Sequence, residues 1–491
     1  MTESKNLRDA LLSRLATLPG TRRFHLHVLV SSPRKHTKLY PFVQHHPKTF
    51  IQDILVLLSE QQPVGVGKGL EKEKEGEEKE GEGEKGKDGE GWGPRVFVSA
   101  IEASLYTLPT TSSAILYISK VDSTGQSSHP SPTRTLARAL LAFYADPTQR
   151  PAGMRAERVW VHLFARAQGQ WWKRVFEEVG GEVGKGEGEE GVGVRLFYVL
   201  PGMSEFEASQ SMGVSAGASS QSSVSWHYGH PYSQTDIPLP CPPNADSQSH
   251  THSHSHSCST YNLGRYIPSF DDDPKARFID ELGYTTEAEG IKSPARKRQK
   301  TGGEKGKREE EGSGEREGKT HGHVPGELGK VCADEFWERM SFRQECVAGA
   351  MTGFFTMAVT SPLSRQGGEG SGGAAEQRGQ VPGQMNKRVL ASLMTGHEFS
   401  SVERARWSTG KLEETIRGLC EGLGPVTPPG GVREGCVGEG VGSLEKYNSD
   451  IYGSVVVCNA GGARGVCGRV GVTVLTARKK KRRGGGEEVM R

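Results

Sequence analysis

Apolar residues are scarce in this sequence, and no run of them is long enough to cross a membrane. Hydrophobic residues make up 34% of the 491 positions, whereas glycine alone occupies 66. A spanning helix needs roughly 18 or more consecutive apolar residues, so we expect no membrane association. Low hydrophobicity combined with this much glycine also predicts that a large part of the chain does not fold.

Closely spaced cysteine pairs are absent as well. The eight cysteines are scattered without a C-x-x-C motif, and residues 1–18 contain no apolar core of a secretion signal. Both features favour a reducing intracellular compartment in which the thiols stay free. The histidine-rich tract at 250–256 lies in a Ser-rich linker, whereas a stable metal site needs ligands fixed by a fold. We therefore predict no metal.

An excess of either charge is also lacking, since 62 Lys and Arg face 59 Asp and Glu. This balance does not by itself indicate a nucleic-acid partner. The charges collect in tracts of Gly, Glu and Lys that, like the Ser-rich stretches, can bury little surface. We predict disordered insertions at about 65–93, 180–193, 203–224, 242–258, 286–325 and 366–384. Basic runs at 294–300 and in the disordered tail 478–491 fit nuclear import signals or contacts with phosphate.

Helix and strand patterns alternate between these insertions. Apolar spacing indicates helices at 7–18, 131–144, 389–399 and 412–423, and a long helix followed by a turn at 334–355. Strand patterns occupy 24–30, 96–106, 114–125 and 194–200, and folded structure continues through 49–58. For the helix at 131–144 the candidate caps are Ser131 and Thr133. We assign no element to 447–458.

The most informative stretch is 267–282, in which three consecutive aspartates precede a proline. Pro274 fixes its own φ and disfavours the α region for Asp273, so Asp273 is predicted as the N-cap of a helix that begins at Pro274. Adjacent carboxylates raise each other's pKa where water is excluded, which can make one of them a proton acceptor. Taken alone, such a helix start is more often a cap with surface charge. The apolar face of the helix would consist of Phe278, Ile279 and Leu282.

The segment 270–278, Phe-Asp-Asp-Asp-Pro-Lys-Ala-Arg-Phe, resembles the FPDDPKARF signature of the fungal histone H3 lysine acetyltransferases of the "regulator of Ty transposition" type. Further landmarks of that family follow in the family's order. They are Ser-Lys-Val-Asp-Ser-Thr-Gly at 119–125, Leu-Phe-Ala-Arg at 163–166, Trp-Trp at 171–172, the Trp-containing helix at 334–345, and the final strand and basic tail at 472–483.

This resemblance implies one α/β acetyltransferase domain over 1–477 with a central mixed sheet flanked by helices, similar in architecture to the metazoan CREB-binding-protein acetyltransferases. It implies acetyl-CoA as co-substrate, without a metal. The acceptors would be lysines of newly synthesised histone H3, in chromatin assembly, DNA replication and the damage response. The expected location is the nucleus. The expected partners are histone H3–H4 and histone chaperones of the nucleosome-assembly-protein and anti-silencing-function classes.

A helix start that carries an arginine suits a pyrophosphate, because free backbone N–H groups and the helix dipole point at the anion. Arg134 could pair with it bidentately, although an ordinary capped helix is the alternative. The resemblance assigns this helix start to the coenzyme phosphates, and two further segments to the coenzyme pocket. The coenzyme-binding residues so implied are Val121, Asp122, Ser123, Pro130, Ser131, Pro132, Thr133, Arg134, Phe164, Gln168 and Trp172.

Acetyl transfer to lysine requires that a proton be removed. A lysine amine has a pKa near 10.4, so only about one in two thousand is neutral at pH 7. By match to the family, Asp273 would accept the proton with Asp272 beside it, Asp122 would be required for activity, and Trp172 would pack beside the coenzyme and the substrate lysine. Lys275 matches the lysine that the family autoacetylates. The alternatives are that Trp172 is a core aromatic and Lys275 a solvent-facing helix residue.

About twenty residues that family members carry before the Trp-Trp pair are missing, since Gln170 is followed directly by Trp171. Either a splice junction is wrongly predicted or a real loss weakens the pocket. In the second case the protein could be a catalytically inactive relative that binds histone chaperones. A disordered basic nuclear protein that binds nucleic acid would explain the charged tracts, but not the ordered landmarks.

Overall fold

A computed structural model of the chain describes residues 6–63, 91–151, 154, 156–166, 168–185, 192–214, 224–242, 264–284, 327–347, 351–361, 379–421, 423 and 444–459. The histidine-rich tract, the basic run at 294–300 and the final strand and tail at 472–491 lie outside these residues. Among the described helices, none is both long and apolar enough to cross a membrane.

A mixed sheet of eleven strands forms the centre of the described fold. The strands are β1 (Gly20–Ser31), β2 (Arg34–His36), β3 (Thr49–Gln61), β4 (Val96–Leu108), β5 (Ser113–Ser123), β6 (Arg158–Arg166), β7 (Gly193–Val199), β8 (Trp226–Tyr228), β9 (Thr352–Thr360), β10 (Gln380–Val381) and β11 (Tyr452–Asn459). Their spatial order is β10-β1-β3-β4-β5-β6-β9-β7-β8, with β11 on β1 and β2 on β3. The pairs β5–β6, β7–β8 and β1–β10 are parallel, and the other pairs are antiparallel. The predicted mixed sheet is thus confirmed.

Helices cover both faces of this sheet. They are α1 (Leu7–Leu15), α2 (Thr133–Ala145), α3 (Gly169–Val183), α4 (Glu205–Met212), α5 (Pro274–Tyr284), α6 (Ala333–Met340), α7 (Gln344–Val347), α8 (Gly383–Thr395) and α9 (Val402–Glu421). Helices α1 to α4 share one apolar core with one face. On the other face α5 and α6 cover one apolar cluster, and α8 and α9 cover another.

The predicted hairpin is formed by β4 and β5, which pair from Leu108↔Ser113 to Ser99↔Ser123. The register shifts between Glu102, which pairs with Lys120, and Ala103, which pairs with Ile118. Ser119 is therefore the extra residue of a β-bulge, and its hydroxyl donates to the Glu102 carbonyl oxygen at 3.0 Å. Bulges of this kind redirect side chains near functional sites.

Three predicted boundaries of insertions are wrong. Helix α3 continues to Val183 and so enters the range 180–193. Helix α4 lies within 203–224, because Ser204 and Glu207 form a capping box. Strand β10 and the start of α8 lie within 366–384. In each case a short element packs on a neighbour that the local composition does not reveal.

The prediction of a long helix followed by a turn at 334–355 is also wrong. The chain forms α6 and the single turn α7, and then enters the central strand β9 between β6 and β7. The apolar run Phe-Phe-Thr-Met-Ala-Val at 354–359 is typical of a strand buried on both faces. The unassigned segment 447–458 forms a π-helical turn, Tyr447–Ile451, and the strand β11.

Candidate active site

A cleft of about 600 Å³ lies where β5 ends and where α2 and α3 begin. It brings together seven of the residues that the sequence assigns to the coenzyme. These are Val121, Asp122, Ser123, Ser131, Thr133, Arg134 and Gln168. Pro130 and Pro132 flank Ser131 in the loop that precedes α2. Residues from three separate stretches of sequence therefore meet at one cleft.

Helix α2 begins without a side-chain cap, because Pro132 occupies the N-cap position. Neither Ser131 nor Thr133 occupies the N-cap position as expected, although Ser131 Oγ accepts from the Thr133 N–H at 3.5 Å. Uncapped backbone N–H groups and the positive end of the helix dipole remain available to an anion at this end of the cleft. Arg134 already contacts Glu178 of α3, which also pairs with Arg138 at 2.9 Å. These groups fit the pyrophosphate of a coenzyme, with Glu178 as a competitor for Arg134.

Helix α3 supplies a second wall of the cleft through Gly169, Gln170 and Trp171. The sequence implied Trp172 as the aromatic beside the coenzyme, but the structure places Trp172 in the core with α1 and α2, and Trp171 lines the cleft. The two indole rings are 4.6 Å apart and perpendicular. Trp172 thus packs against Trp171 from the core side, in agreement with the alternative interpretation that Trp172 is a core aromatic.

Phe164 is not brought into this cleft. It lies on the opposite face of β6 from Leu163, against Phe354, with ring centroids 5.0 Å apart. Alternate residues of a strand point to opposite faces of the sheet, so Phe164 and the core-facing Leu163 cannot serve the same face.

A buried ion pair supports the loop before α2. The side chains of Arg22 on β1 and Glu60 on β3 are each 2% exposed and lie 3.7 Å apart. Arg22 Nη1 donates to the Pro130 carbonyl oxygen at 3.0 Å, and the Glu60 carboxylate accepts from the Ser128 N–H at 3.3 Å. Sequence analysis missed both residues, because strand residues in two distant segments give no local signal for a loop at 128–131.

The predicted helix start at Pro274 is confirmed, as is the burial of Phe278, Ile279 and Leu282. Asp273 caps the helix by accepting from the Lys275 backbone N–H at 2.9 Å. Its second carboxylate oxygen accepts from Lys275 Nζ. The two side chains are 2% and 4% exposed, so Lys275 is not a solvent-facing helix residue.

The Lys275 ammonium is enclosed by aromatic rings. Its Nζ lies 4.7 Å from the Phe270 ring centroid and 5.8 Å from that of Phe354. Phe270 in turn stacks on Tyr117 of β5, with centroids 4.2 Å apart and planes at 6°. Burial lowers the pKa of Lys275, and the ion pair with Asp273 opposes this shift. The signature helix is thereby anchored on the central sheet.

The three consecutive aspartates have different environments. Asp271 and Asp272 are exposed, whereas Asp273 is buried. Asp273 and Lys275 line a cavity of only about 20 Å³, separate from the cleft at the end of β5, together with His162 and Tyr232. That volume holds about one water molecule. This geometry favours a structural role for Asp273, since its carboxylate is already engaged by Lys275.

The part of the chain that the structure describes contains no group of three or more His, Cys, Asp or Glu that could hold a metal ion. The lining of the cleft offers backbone N–H groups, the Arg134 guanidinium, the hydroxyls of Ser123, Ser131 and Thr133, and the Asp122 carboxylate.

The chain belongs to the histone acetyltransferase family defined by the KAT11-type domain, whose profile matches residues 170–415, half of the chain. Among curated proteins it is similar to the histone acetyltransferase rtt109 of Aspergillus flavus, with 26% identity over 315 residues, or 55% of this chain. The matched region spans 46% of that relative, so the chain covers about half of the relative's length. The crystal structure of Rtt109 from Aspergillus fumigatus matches with a TM-score of 0.54 at 20% identity, covering 93% of this chain and all of the other. The two proteins thus share a fold.

Proposed function

We propose that this protein is a histone lysine N-acetyltransferase that transfers acetyl from acetyl-CoA to lysine side chains of newly synthesised histone H3. The observation that carries the proposal is the convergence of 121–123, 131–134 and Gln168 on one cleft. The match to the KAT11-type family and the relative named histone acetyltransferase rtt109 support the same activity.

The coenzyme would contribute an acetyl thioester when bound. The acceptor lysine must first lose a proton from its ammonium group to a neighbouring carboxylate. Its neutral nitrogen then attacks the thioester carbonyl carbon, an amide N–C bond forms and the C–S bond breaks. The nitrogen loses a second proton as the amide forms, and the departing sulfur takes up a proton to become the thiol. In this reaction Ser131, Thr133 and Arg134 hold the phosphates, and Asp122 lies where the thioester meets the acceptor.

The loop and helix start at 270–275 have a structural role in this proposal. Asp273 and Lys275 fix the start of α5 through a cap and an ion pair, which places the exposed Asp272 beside the central strands. The lowered pKa of Lys275 raises the neutral fraction of its amine, which suits the autoacetylation that the family resemblance implies.

We further propose a nuclear location, with roles in chromatin assembly, DNA replication and the damage response. The substrate would be histone H3–H4 presented by chaperones of the nucleosome-assembly-protein and anti-silencing-function classes. The support for these proposals is the family resemblance and the basic runs at 294–300 and 478–491.

Arg134 and Arg138 offer a matched test, because both lie on α2 and pair with Glu178, while Arg134 alone of the two lines the cleft. Labelled acetyl-CoA and chaperone-bound H3–H4 serve as substrates. Arg134→Ala should raise the KM for acetyl-CoA about tenfold, as expected for loss of a charge-assisted hydrogen bond, and Arg138→Ala should leave it nearly unchanged. Equal effects would contradict the assigned cleft.

Absence of any transfer by the unmodified chain would favour the inactive relative. In that case the segment missing before Trp171 should be grafted in. Activity that returns with the graft would show that the shortened cleft is the cause.

A further inference from the structure

A second groove, of about 360 Å³, lies on the α8 face of the sheet, against the apolar cluster that α8 and α9 cover. One wall is apolar and consists of Leu390, Leu393 and Met394 of α8 with Phe399 after it. The other wall is formed by polar side chains of β4 and β5, namely Glu102, Lys120 and Asp122. Met394 is 60% exposed at the rim, so α8 leaves apolar surface uncovered here.

This groove adjoins the cleft proposed for the coenzyme. Asp122 and Ser123, at the end of β5, line both. In acetyl transfer the acceptor nitrogen has to reach the thioester carbon. A groove that adjoins the coenzyme cleft at these two residues provides such an approach.

Glu102 has a feature that indicates a ligand. Its carboxylate oxygen Oε2 is buried without a hydrogen-bond partner, and such groups normally find one. The nearest cation is Lys120, whose Nζ lies 4.0 Å away and whose side chain is 52% exposed. Burial raises the pKa of Glu102, and the negative charges of Asp272 and Asp53 add to this shift, while Lys120 and a hydrogen bond from the Ser119 side chain oppose it. A donor in the groove would satisfy this oxygen.

We propose that this groove binds the acceptor segment of the histone, with the lysine ammonium on Glu102 and apolar neighbours of that lysine on the α8 wall. The proposal rests on the acetyltransferase function above and names the site of its second substrate. The groove is lined by two carboxylates, those of Glu102 and Asp122, and by one lysine, Lys120, which lies 4.0 Å from Glu102. This excess of negative charge favours a cationic ligand. The apolar wall extends across several residues of α8 and Phe399, which favours a polypeptide over a free amine.

The test compares Glu102→Gln and Met394→Glu with the control Val402→Glu. Val402 is also an exposed apolar residue, at 52%, but it lies outside the groove. Binding of a fluorescent lysine-containing H3 peptide is measured by anisotropy, KM by transfer to H3–H4, and acetyl-CoA affinity by calorimetry. Direct peptide binding does not require catalysis, so it remains informative if no transfer occurs.

Glu102→Gln should weaken peptide binding and raise the KM for H3–H4 about tenfold, as expected when a charge-assisted hydrogen bond is lost. Met394→Glu should weaken peptide binding several-fold, and Val402→Glu should not. The acetyl-CoA Kd should stay within about twofold in all three.

Peptide binding that all three variants retain, in a chain that transfers acetyl, would overturn the groove assignment and leave the proposed function intact. If Glu102→Gln and Met394→Glu weakened peptide binding while the unmodified chain transferred no acetyl, the proposed activity would be overturned and the groove assignment would stand. If spermine competed as well as the peptide, the groove would be a site for free amines, and the histone assignment would be wrong.

Discussion

Replacing Lys275 by methionine should destabilise the fold by several kcal/mol. The substitution preserves side-chain length but leaves the Asp273 carboxylate, which is 2% exposed, without its ion-pair partner. Removing one partner of a buried pair costs about 3–5 kcal/mol. The Asp273 cap of α5 survives, because it uses the backbone N–H of residue 275, and a cap contributes about 1 kcal/mol.

The double variant Asp273→Asn/Lys275→Met removes both charges and keeps a capping side chain. It should recover most of the loss, because no unpaired buried charge remains. The two single variants and the double variant then form a mutant cycle, in which the double variant should be much less unstable than the sum of the two single variants. Guanidinium unfolding followed by circular dichroism supplies the three free energies of unfolding relative to the unmodified chain.

The control is Arg277→Met on the same helix. Arg277 is 69% exposed and pairs with Glu345 at 3.1 Å, and exposed pairs contribute about 0–1 kcal/mol. A Lys275→Met effect no larger than that of Arg277→Met would refute the reasoning. So would a double variant that is as unstable as the sum of the single variants.

The remaining predictions concern pH, loop support and anion binding. Burial lowers the pKa of His27 and of His162 to about 3, from 6.5. Since both are neutral in the folded protein, the free energy of unfolding should fall as pH drops from 6.5 towards 3, by about 1.4 kcal/mol per pH unit and histidine. Urea unfolding at pH 7 and pH 5 should show this fall, and His162→Asn should make it smaller. A fall of the same size in His162→Asn would contradict the prediction. Glu60→Gln should raise the Kd of acetyl-CoA, measured by calorimetry, several-fold, because the Glu60 carboxylate supports the loop at 128–131. A lower Tm with an unchanged Kd would indicate a purely structural role for Glu60. Glu178→Gln should lower that Kd up to about fivefold by releasing Arg134, in keeping with an ion pair of about 1 kcal/mol, and a higher Kd would contradict the competition.

Local patterns predicted the elements that form the coenzyme cleft. The turn at 122–125 ends a strand, the helical apolar spacing at 131–144 gives α2, and Pro274 starts α5, because each depends on backbone preferences of adjacent residues. The order of the family landmarks then indicated that 121–123, 131–134 and Gln168 belong to one site. Nothing in these local patterns required long-range information.

Local sequence patterns did not predict which side of a helix or strand faces the cleft. Trp171 and Trp172 are neighbours on a helix, about 100° apart around its axis, so the choice between cleft and core depends on how α3 packs. The resemblance assigned Phe164 to the coenzyme pocket, and the structure places it on the face of β6 opposite the core-facing Leu163. Pairing of β10 and β11 with β1 joins segments more than 300 residues apart, which no local pattern encodes.

The three carboxylates that could accept a proton from the acceptor lysine differ in what already engages them. Asp273 is committed to Lys275 and to the cap, and it lies in a cavity separate from the coenzyme cleft. Asp272 is exposed, where water competes for a cation. Glu102 combines a buried oxygen that has no hydrogen-bond partner and only a 4.0 Å ion pair with Lys120 with a position in the groove that adjoins the cleft. A raised pKa brings its proton affinity closer to that of an amine. In this proposal the signature aspartate positions the loop, and the lysine ammonium is received by Glu102, on a strand that carries no signature.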